Sequence, residues 1–133
     1  MSVIKSSKVV VMGDMSVGKT SILTRYITDT FDSLCESTIG AAFFTKCLDG
    51  SNGKKLNLEI WDTAGQERYD SLLPMYYRNA NIIIFIFDIN NFLSFKNLET
   101  RWLPIIQNCK TDAQVFIVGN KSDLTPVVKD DDV

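Results

Sequence analysis

Apolar residues fall along the chain in short runs and in helically spaced sets, and the two kinds of segment alternate. Three short runs predict strands: Lys8–Met12, Ile82–Phe87 and Val115–Val118. The last two are almost uniformly apolar, which is typical of strands that are buried on both faces of a parallel sheet. Lys55–Trp61 alternates between apolar and polar residues and, with Ala41–Leu48, predicts a hairpin that turns at residues 49–53.

Helical spacing predicts three helices. They cover Ser21–Ile27, Leu72–Arg78 with Pro74 in its first turn, and Leu93–Lys110, which Pro104 must kink or interrupt. Strands that alternate with helices indicate a doubly wound α/β fold, with a mostly parallel sheet and one antiparallel hairpin strand. Ligands of such sheets bind at the carboxyl ends of the strands.

The composition is that of an ordinary globular protein of one domain. The chain has 133 residues, 45% apolar and 23% charged, and its net charge of −2 argues against nucleic-acid binding through bulk charge. Three unpatterned cysteines, Cys35, Cys47 and Cys109, with no histidine, argue against a disulfide framework or a zinc site and indicate a reducing cytoplasm. The first eight residues are too short and polar for a signal peptide, and the longest apolar run is too short to span a membrane.

The strongest motif follows the first strand. Gly13–Thr20 reads G-D-M-S-V-G-K-T and fits the phosphate-binding pattern G-x-x-x-x-G-K-[ST], placed between a strand and a helix as that motif requires. Gly13 and Gly18 let the backbone turn with its N–H groups inward, as an anion site at a helix N-terminus. Lys19 can reach the β- and γ-phosphates, and the Thr20 hydroxyl can bind Mg²⁺. The predicted phosphate-binding residues are Ser16, Val17, Gly18, Lys19, Thr20 and Ser21. The alternative is a glycine-rich turn that binds nothing.

Four further motifs identify a family. W-D-T-A-G-Q-E-R-Y occupies Trp61–Tyr69, G-N-K-S-D occupies Gly119–Asp123, E-S-T-I-G-A-A-F occupies Glu36–Phe43, and M-Y-Y-R occupies Met75–Arg78. Together with the phosphate loop, this set resembles the Ras superfamily of small GTPases and, within it, the Rab family, with the endosomal Rab subgroup most similar. The resemblance covers nearly the whole chain and implies a P-loop NTPase fold.

The resemblance implies a role for each residue near the γ-phosphate. Asp62, at the end of a buried strand, would hold Mg²⁺ through water, and Thr38 would complete the metal site. Gly65 can present its backbone N–H to the γ-phosphate because no side chain blocks the approach. Gln66 would orient the attacking water as the catalytic residue. The alternatives are a turn-forming role for Asp62 and an ordinary loop position for Thr38.

Asn120 and Asp123 resemble the pair that recognises guanine. The Asp123 carboxylate accepts from N1–H and from the 2-amino group, and adenine offers neither there, which argues against an ATP-using P-loop protein. Lys121 can lay its stem along the base. Phe31 matches the aromatic that stacks on the edge of guanine, and anchoring its loop in the core is the alternative role for it.

Phe43, Trp61 and Tyr76 correspond to an aromatic trio that Rab effectors contact in the active state. Neighbouring strands and the following helix bring the three together, and an exposed aromatic cluster is typical of a partner surface. The resemblance therefore implies effectors, an exchange factor and a GTPase-activating protein as partners. Partial burial of Trp61 in the core is the alternative.

The chain departs from the family pattern at two places. Met15 stands where the family has a small residue, close to where Gln66 and an incoming arginine would act, which puts hydrolysis in doubt but not binding. The chain stops soon after Asp123 with L-T-P-V-V-K-D-D-D-V, before the family's S-A-K loop, last strand, last helices and prenylated cysteines. Residues 1–133 are therefore expected to be an incomplete small-GTPase domain with no lipid anchor.

Two functions of different classes fit these residues. The first is a Rab-like GTP/GDP switch that uses Mg²⁺, hydrolyses GTP slowly and acts in vesicle and endosomal membrane traffic. Such a protein is cytoplasmic and is recruited to endosomal membranes through its partners. The second is a non-hydrolysing decoy or interaction module that binds Rab effectors or exchange factors. Nucleotide bound to the purified protein distinguishes the two.

Overall fold

The computed structural model describes residues 4–28, 41–65, 71–107, 112–121 and 123. Within these residues, five strands form one sheet: β1 (Ile4–Met12), β2 (Ala41–Asp49), β3 (Lys55–Thr63), β4 (Ile82–Asp88) and β5 (Gln114–Asn120). The helices are α1 (Lys19–Thr28), α2 (Leu73–Tyr77), α3 (Phe92–Asn97) and α4 (Leu103–Gln107). A 3-10 turn, Ser51–Gly53, links β2 to β3, and a π-helical turn, Leu98–Trp102, joins α3 to α4.

The sheet has the strand order β2-β3-β1-β4-β5. β1 runs parallel to β3 and β4, β4 runs parallel to β5, and β2 pairs antiparallel with β3. The prediction of a doubly wound P-loop fold, mostly parallel with one antiparallel hairpin strand, is therefore confirmed. Because four strands are parallel, their last residues lie at one end of the sheet, where ligands of this fold class bind. These residues are Met12, Thr63, Asp88 and Asn120.

Two apolar clusters lie on the two faces of the sheet. Val10 and Met12 belong to one cluster, together with the fully buried Trp102 from the π-helical turn. Val9 belongs to the other, together with Leu23 of α1. Successive residues of a strand point to opposite faces of the sheet, so β1 must be apolar at every position of its central run to serve both clusters.

The helical segment after β4 is interrupted, as the sequence predicts. The Asn91 side chain caps α3 by accepting a hydrogen bond from the Ser94 N–H at 3.3 Å. The π-helical turn comes immediately before α4, whose second residue is Pro104. Pro104 has no N–H to donate to the preceding turn, so the helical hydrogen-bond pattern has to change there. The predicted end at Lys110 lies outside the described residues. Among the helices of the described segments, none has the length and apolar character needed to cross a membrane.

The strands are longer than the apolar pattern predicts. β1 begins at Ile4 and not at Lys8, because residues Ile4 to Ser7 pair with Lys55 to Leu58 of β3. Pairing with a neighbouring strand, which apolar periodicity does not register, extends the strand through polar residues.

The prediction that Val115–Val118 is buried on both faces is wrong. Its four side chains are 39–50% exposed. β5 is the last strand of the sheet and pairs with β4 alone in the described part of the chain. Because neighbouring residues of a strand point to opposite faces, exposure of all four means that both faces of β5 are open to solvent. Apolar composition shows that a strand can be buried, but whether it is buried depends on which other elements pack against it.

Candidate functional site

The phosphate loop joins the carboxyl end of β1 to the start of α1. Within it, Gly18 has φ +100°, a conformation that side chains rarely adopt, and a Cβ there would lie 2.2 Å from Asn120 Nδ2. The Asn120 amide in turn donates to the Val17 carbonyl at 2.9 Å. Glycine is therefore required at position 18 for the loop to pack against the end of β5.

Lys19 is buried at the first position of α1, with 5% of its surface exposed. Its ammonium donates to the Gly13 carbonyl at 2.8 Å and to the Asp14 carbonyl at 2.7 Å. Burial lowers the pKa of Lys19 to about 8, although the carboxylates of Asp62 and Asp14 oppose the shift. A desolvated ammonium held inside a loop of backbone groups is a strong site for an anion.

Thr20 and Asp62 meet beside this lysine. The Thr20 hydroxyl donates to Asp62 Oδ2, and Asp62 is completely buried. A hydroxyl and a carboxylate are the hard oxygen ligands that Mg²⁺ prefers. The described residues contain no cluster of three or more His, Cys, Asp or Glu side chains that could hold a metal by themselves. By its donor chemistry the pair fits Mg²⁺, because this ion is usually held by one or two protein groups together with water and phosphate oxygens.

Gly65 lies directly against the phosphate loop after the end of β3. A Cβ at this position would lie 2.3 Å from the Met15 backbone nitrogen and 2.8 Å from the Gly13 carbonyl oxygen. These neighbours are backbone atoms that cannot rotate away, so the segment after β3 approaches the loop this closely only with glycine.

The residues predicted to recognise guanine lie at the end of β5. Lys121 has φ +66°, and its ammonium donates to the Ser16 carbonyl at 2.9 Å and lies 3.0 Å from Asp88 Oδ2. Asp123 is exposed in a turn two residues further on. With the Asn120 contact to the phosphate loop, these interactions bring two motifs that are a hundred residues apart to one end of the sheet.

Asp14 is a contact residue that the sequence prediction missed. Its carboxylate accepts hydrogen bonds from Asn97 Nδ2 and, at 2.8 Å, from Trp102 Nε1. Arg101 Nη1 lies 3.5 Å from Asp14 Oδ1 and also donates to the Gly65 carbonyl at 2.8 Å. Position 14 is unspecified in the phosphate-loop motif and its partners lie more than eighty residues away, so no local signal indicates these contacts.

The aromatic trio forms one cluster on the side of the hairpin. Phe43 and Trp61 are opposite each other in the β2–β3 pair with ring centroids 4.7 Å apart, and the Trp61 and Tyr76 centroids are 5.4 Å apart. Phe43 is 48% exposed, whereas Trp61 and Tyr76 are half-buried against the core. The partial burial of Trp61 in the core is therefore confirmed, and the same ring also forms part of an aromatic cluster. Contact of this cluster with effectors stays a prediction.

The remaining predicted residues divide into two groups. Ser21 is half-buried in the first turn of α1, and Met15 is 49% exposed in the phosphate loop. Gln66, Thr38 and Phe31 lie outside the described residues, so their roles stay predictions.

Comparison with known proteins gives one consistent family. A model of the Ras family matches residues 8–132. The chain is 47% identical over 120 residues to the GTP-binding protein ypt5 of Schizosaccharomyces pombe, covering 90% of this chain and 56% of that protein. It is 47% identical over 126 residues to the GTP-binding protein YPT52 of Saccharomyces cerevisiae, covering 88% and 53%. It is 46% identical over 120 residues to the Ras-related protein RABF2b of Arabidopsis thaliana, covering 90% and 59%. The chain thus spans little more than half the length of the relatives it matches.

Proposed function

Since the chain belongs to the Ras family of small GTPases and is similar to its Rab members, we propose that it is a GTP/GDP switch in endosomal vesicle traffic. The observation that carries this proposal is the convergence on one phosphate loop of a buried lysine, a hydroxyl–carboxylate pair, a glycine in backbone contact and the end of β5. Each supplies one part of what a Mg²⁺–guanine nucleotide requires.

Lys19 and the loop backbone bind the phosphates. The lysine ammonium is already desolvated and aimed across the loop, where the Gly13 and Asp14 carbonyls accept its hydrogen bonds. Phosphate oxygens offer this ammonium stronger, charged acceptors in the same place. The cost of burying the lysine charge, visible in its lowered pKa, is therefore offset when the nucleotide binds.

Thr20 and Asp62 are the residues that would hold Mg²⁺, which neutralises charge on the phosphate oxygens when it is bound. Asp62 accepts a hydrogen bond from the Thr20 hydroxyl and so orients the hydroxyl oxygen toward the metal position. Thr38 completes this site in our proposal, and Gln66 orients the attacking water for slow hydrolysis of GTP to GDP and phosphate.

Base recognition is assigned to the end of β5. Asp123 accepts the two guanine donors, Asn120 ties this segment to the phosphate loop, and Lys121 lies along the base. Phe31 stacks on the guanine edge in this proposal. Two fixed contacts between loop and strand end keep the base and phosphate subsites at a constant separation.

The aromatic surface of Phe43, Trp61 and Tyr76 is proposed to bind effectors, an exchange factor and a GTPase-activating protein. One ring of this surface is half-exposed and the other two are held in place by the core. Such a rigid apolar surface suits a partner that binds by burying apolar side chains. The protein acts at endosomal membranes in this proposal, as a cytoplasmic protein that its partners recruit.

Nucleotide released from the purified protein tests the proposal. We expect GDP or GTP in near-equimolar amount when the protein is denatured and its supernatant is separated by ion-exchange chromatography. The variant Asp123→Asn tests base recognition separately. Its amide offers a donor where guanine also has one, so this variant should prefer XTP over GTP in competition. An empty protein would instead support the non-hydrolysing interaction module, ADP would indicate an ATP-using protein, and unchanged base preference in the variant would remove Asp123 from the site.

A further inference from the structure

Arg101 contacts both segments that the γ-phosphate would touch, and the proposed function gives Arg101 itself no role. Its guanidinium Nη1 donates to the Gly65 carbonyl at 2.8 Å and lies 3.5 Å from the Asp14 carboxylate. Asp14 belongs to the phosphate loop, whereas Gly65 belongs to the segment after β3. One side chain from the π-helical turn therefore bridges the two.

We propose that Arg101 is a positioning residue that holds the segment after β3 against the phosphate loop and so favours GTP over GDP. This inference rests on the proposed nucleotide-binding function. It assigns to the helical segment after β4 a part in nucleotide discrimination in addition to its part in the core.

The Arg101 side chain is fixed firmly enough to orient what it binds. Its Cζ lies 4.2 Å from the ring centroid of Trp102, and Trp102 is completely buried. The side chains of Arg101 and Asp14 are 16% and 17% exposed, so their charges attract each other with little screening by solvent. A guanidinium held on one side by an indole ring and on another by a carboxylate has few rotamers left to lose on donating to Gly65.

The carbonyl that Arg101 binds belongs to the peptide unit joining Gly65 to Gln66. A peptide unit is planar, so holding its oxygen also restrains rotation of the Gly65 backbone. GTP offers a γ-phosphate that the phosphate loop and Gly65 would both contact, and GDP offers none. An interaction that stabilises the juxtaposed arrangement therefore raises the affinity for GTP more than the affinity for GDP.

The π-helical turn explains how three neighbouring side chains reach one carboxylate. π-Helical hydrogen bonds join residue i to residue i+5. Residues i+4 and i+5 therefore both lie on nearly the same side of the helix as residue i. Asn97, Arg101 and Trp102 have these separations, and all three contact Asp14. In an uninterrupted α-helix, Trp102 would point away from the side of the helix on which Asn97 and Arg101 lie.

Equilibrium binding of two probes, GDP and a non-hydrolysable GTP analogue, both with Mg²⁺, tests the inference. Arg101→Ala should lower the affinity for the GTP analogue about tenfold, which corresponds to about 1.4 kcal/mol, and should lower the affinity for GDP less than about twofold. Lys96→Ala is the matched control, because Lys96 is an exposed cation of α3 that pairs with Glu99, and it should change neither affinity.

Arg101→Lys keeps the charge on a long aliphatic stem but replaces the planar guanidinium with a compact ammonium, and it should give an intermediate loss of preference for GTP. This variant decides the question if the alanine variant does not fold. Equal losses of affinity for GDP and the GTP analogue, or no loss for either, would overturn the inference. In that case GDP binding by the unchanged protein would still support the proposed function. If the unchanged protein does not bind GDP, the proposed function fails and the inference fails with it.

Discussion

A single charge introduced into β5 should determine whether the 133-residue chain self-associates. Ile117 lies in the middle of the open strand and is 45% exposed. The strand carries no charged residue from Gln114 to Asn120, and an uncharged, apolar edge is a template for pairing with another strand. Ile117→Lys places a charge where a pairing chain would have to bury it.

The magnitude follows from the exposure of the strand. If the four apolar side chains together leave on the order of 300–400 Å² in water, covering them would stabilise the protein by at most about 8–10 kcal/mol at ~25 cal/mol per Å². A whole domain is stable by only about 5–15 kcal/mol. The chain expressed by itself should therefore be marginally stable and should gain stability from any partner for this edge. GDP at a thousand times its dissociation constant should add about 4 kcal/mol.

Light scattering after size exclusion and thermal melts, each at several protein concentrations with and without GDP, measure both effects. The unchanged chain should associate as its concentration rises, and its melting temperature should rise with concentration and with GDP. Ile117→Lys should stay monomeric, whereas Leu93→Lys, at a 64% exposed position of α3, should associate like the unchanged chain. A monomeric, nucleotide-free protein with a sharp melt above about 60 °C would refute the reasoning.

Three further predictions concern the phosphate loop. Thr20→Asn should remove the proposed Mg²⁺ ligand beside Asp62 and weaken the binding of GTP more than that of GDP, and titration of Mg²⁺ against both nucleotides measures the difference. Met15→Ser should raise hydrolysis stimulated by a Rab-type activating protein at least tenfold, about 1.4 kcal/mol of barrier, because it removes a bulky side chain from the loop where Gln66 is proposed to act; equal stimulated rates would rule this out. Burial holds the pKa of Lys19 at about 8, below its usual 10.5. Between these two pH values the unfolded chain binds more protons, so melts of the nucleotide-free protein should show stability rising with pH. GDP affinity should fall over the same range, and Lys19→Arg should show neither trend.

The parts of the molecule that the sequence predicts are those encoded by neighbouring residues. The phosphate loop needs two glycines, a lysine and a threonine in eight positions, and the structure places them between β1 and α1. The interruption before α4 was predicted from Pro104, because its missing N–H and its ring disturb the preceding turn. The mostly parallel sheet with one antiparallel hairpin strand was also predicted, as was the placement of the motifs at the carboxyl ends of its strands. The strand order and the contact of Asn120 with the phosphate loop came from the structure.

The parts that were missed depend on distant residues. Asp14 is an unremarkable position in the loop until the π-helical turn brings three side chains to its carboxylate. The exposure of β5 depends on what lies beside the strand, and Val115–Val118 has the same composition whether or not anything covers it. Periodicity describes which faces of an element are apolar, and only the packing of the other elements decides which of those faces are buried.

The chain has two tryptophans, and their positions make them separate fluorescent reporters. Trp102 is completely buried with its indole N–H bonded to Asp14 of the phosphate loop, so its emission should report on the loop when nucleotide binds. Trp61 is half-buried between Phe43 and Tyr76, so its emission should shift when a partner covers that surface. With either one replaced by phenylalanine, the same cuvette measurement can follow nucleotide exchange or partner docking without any attached dye.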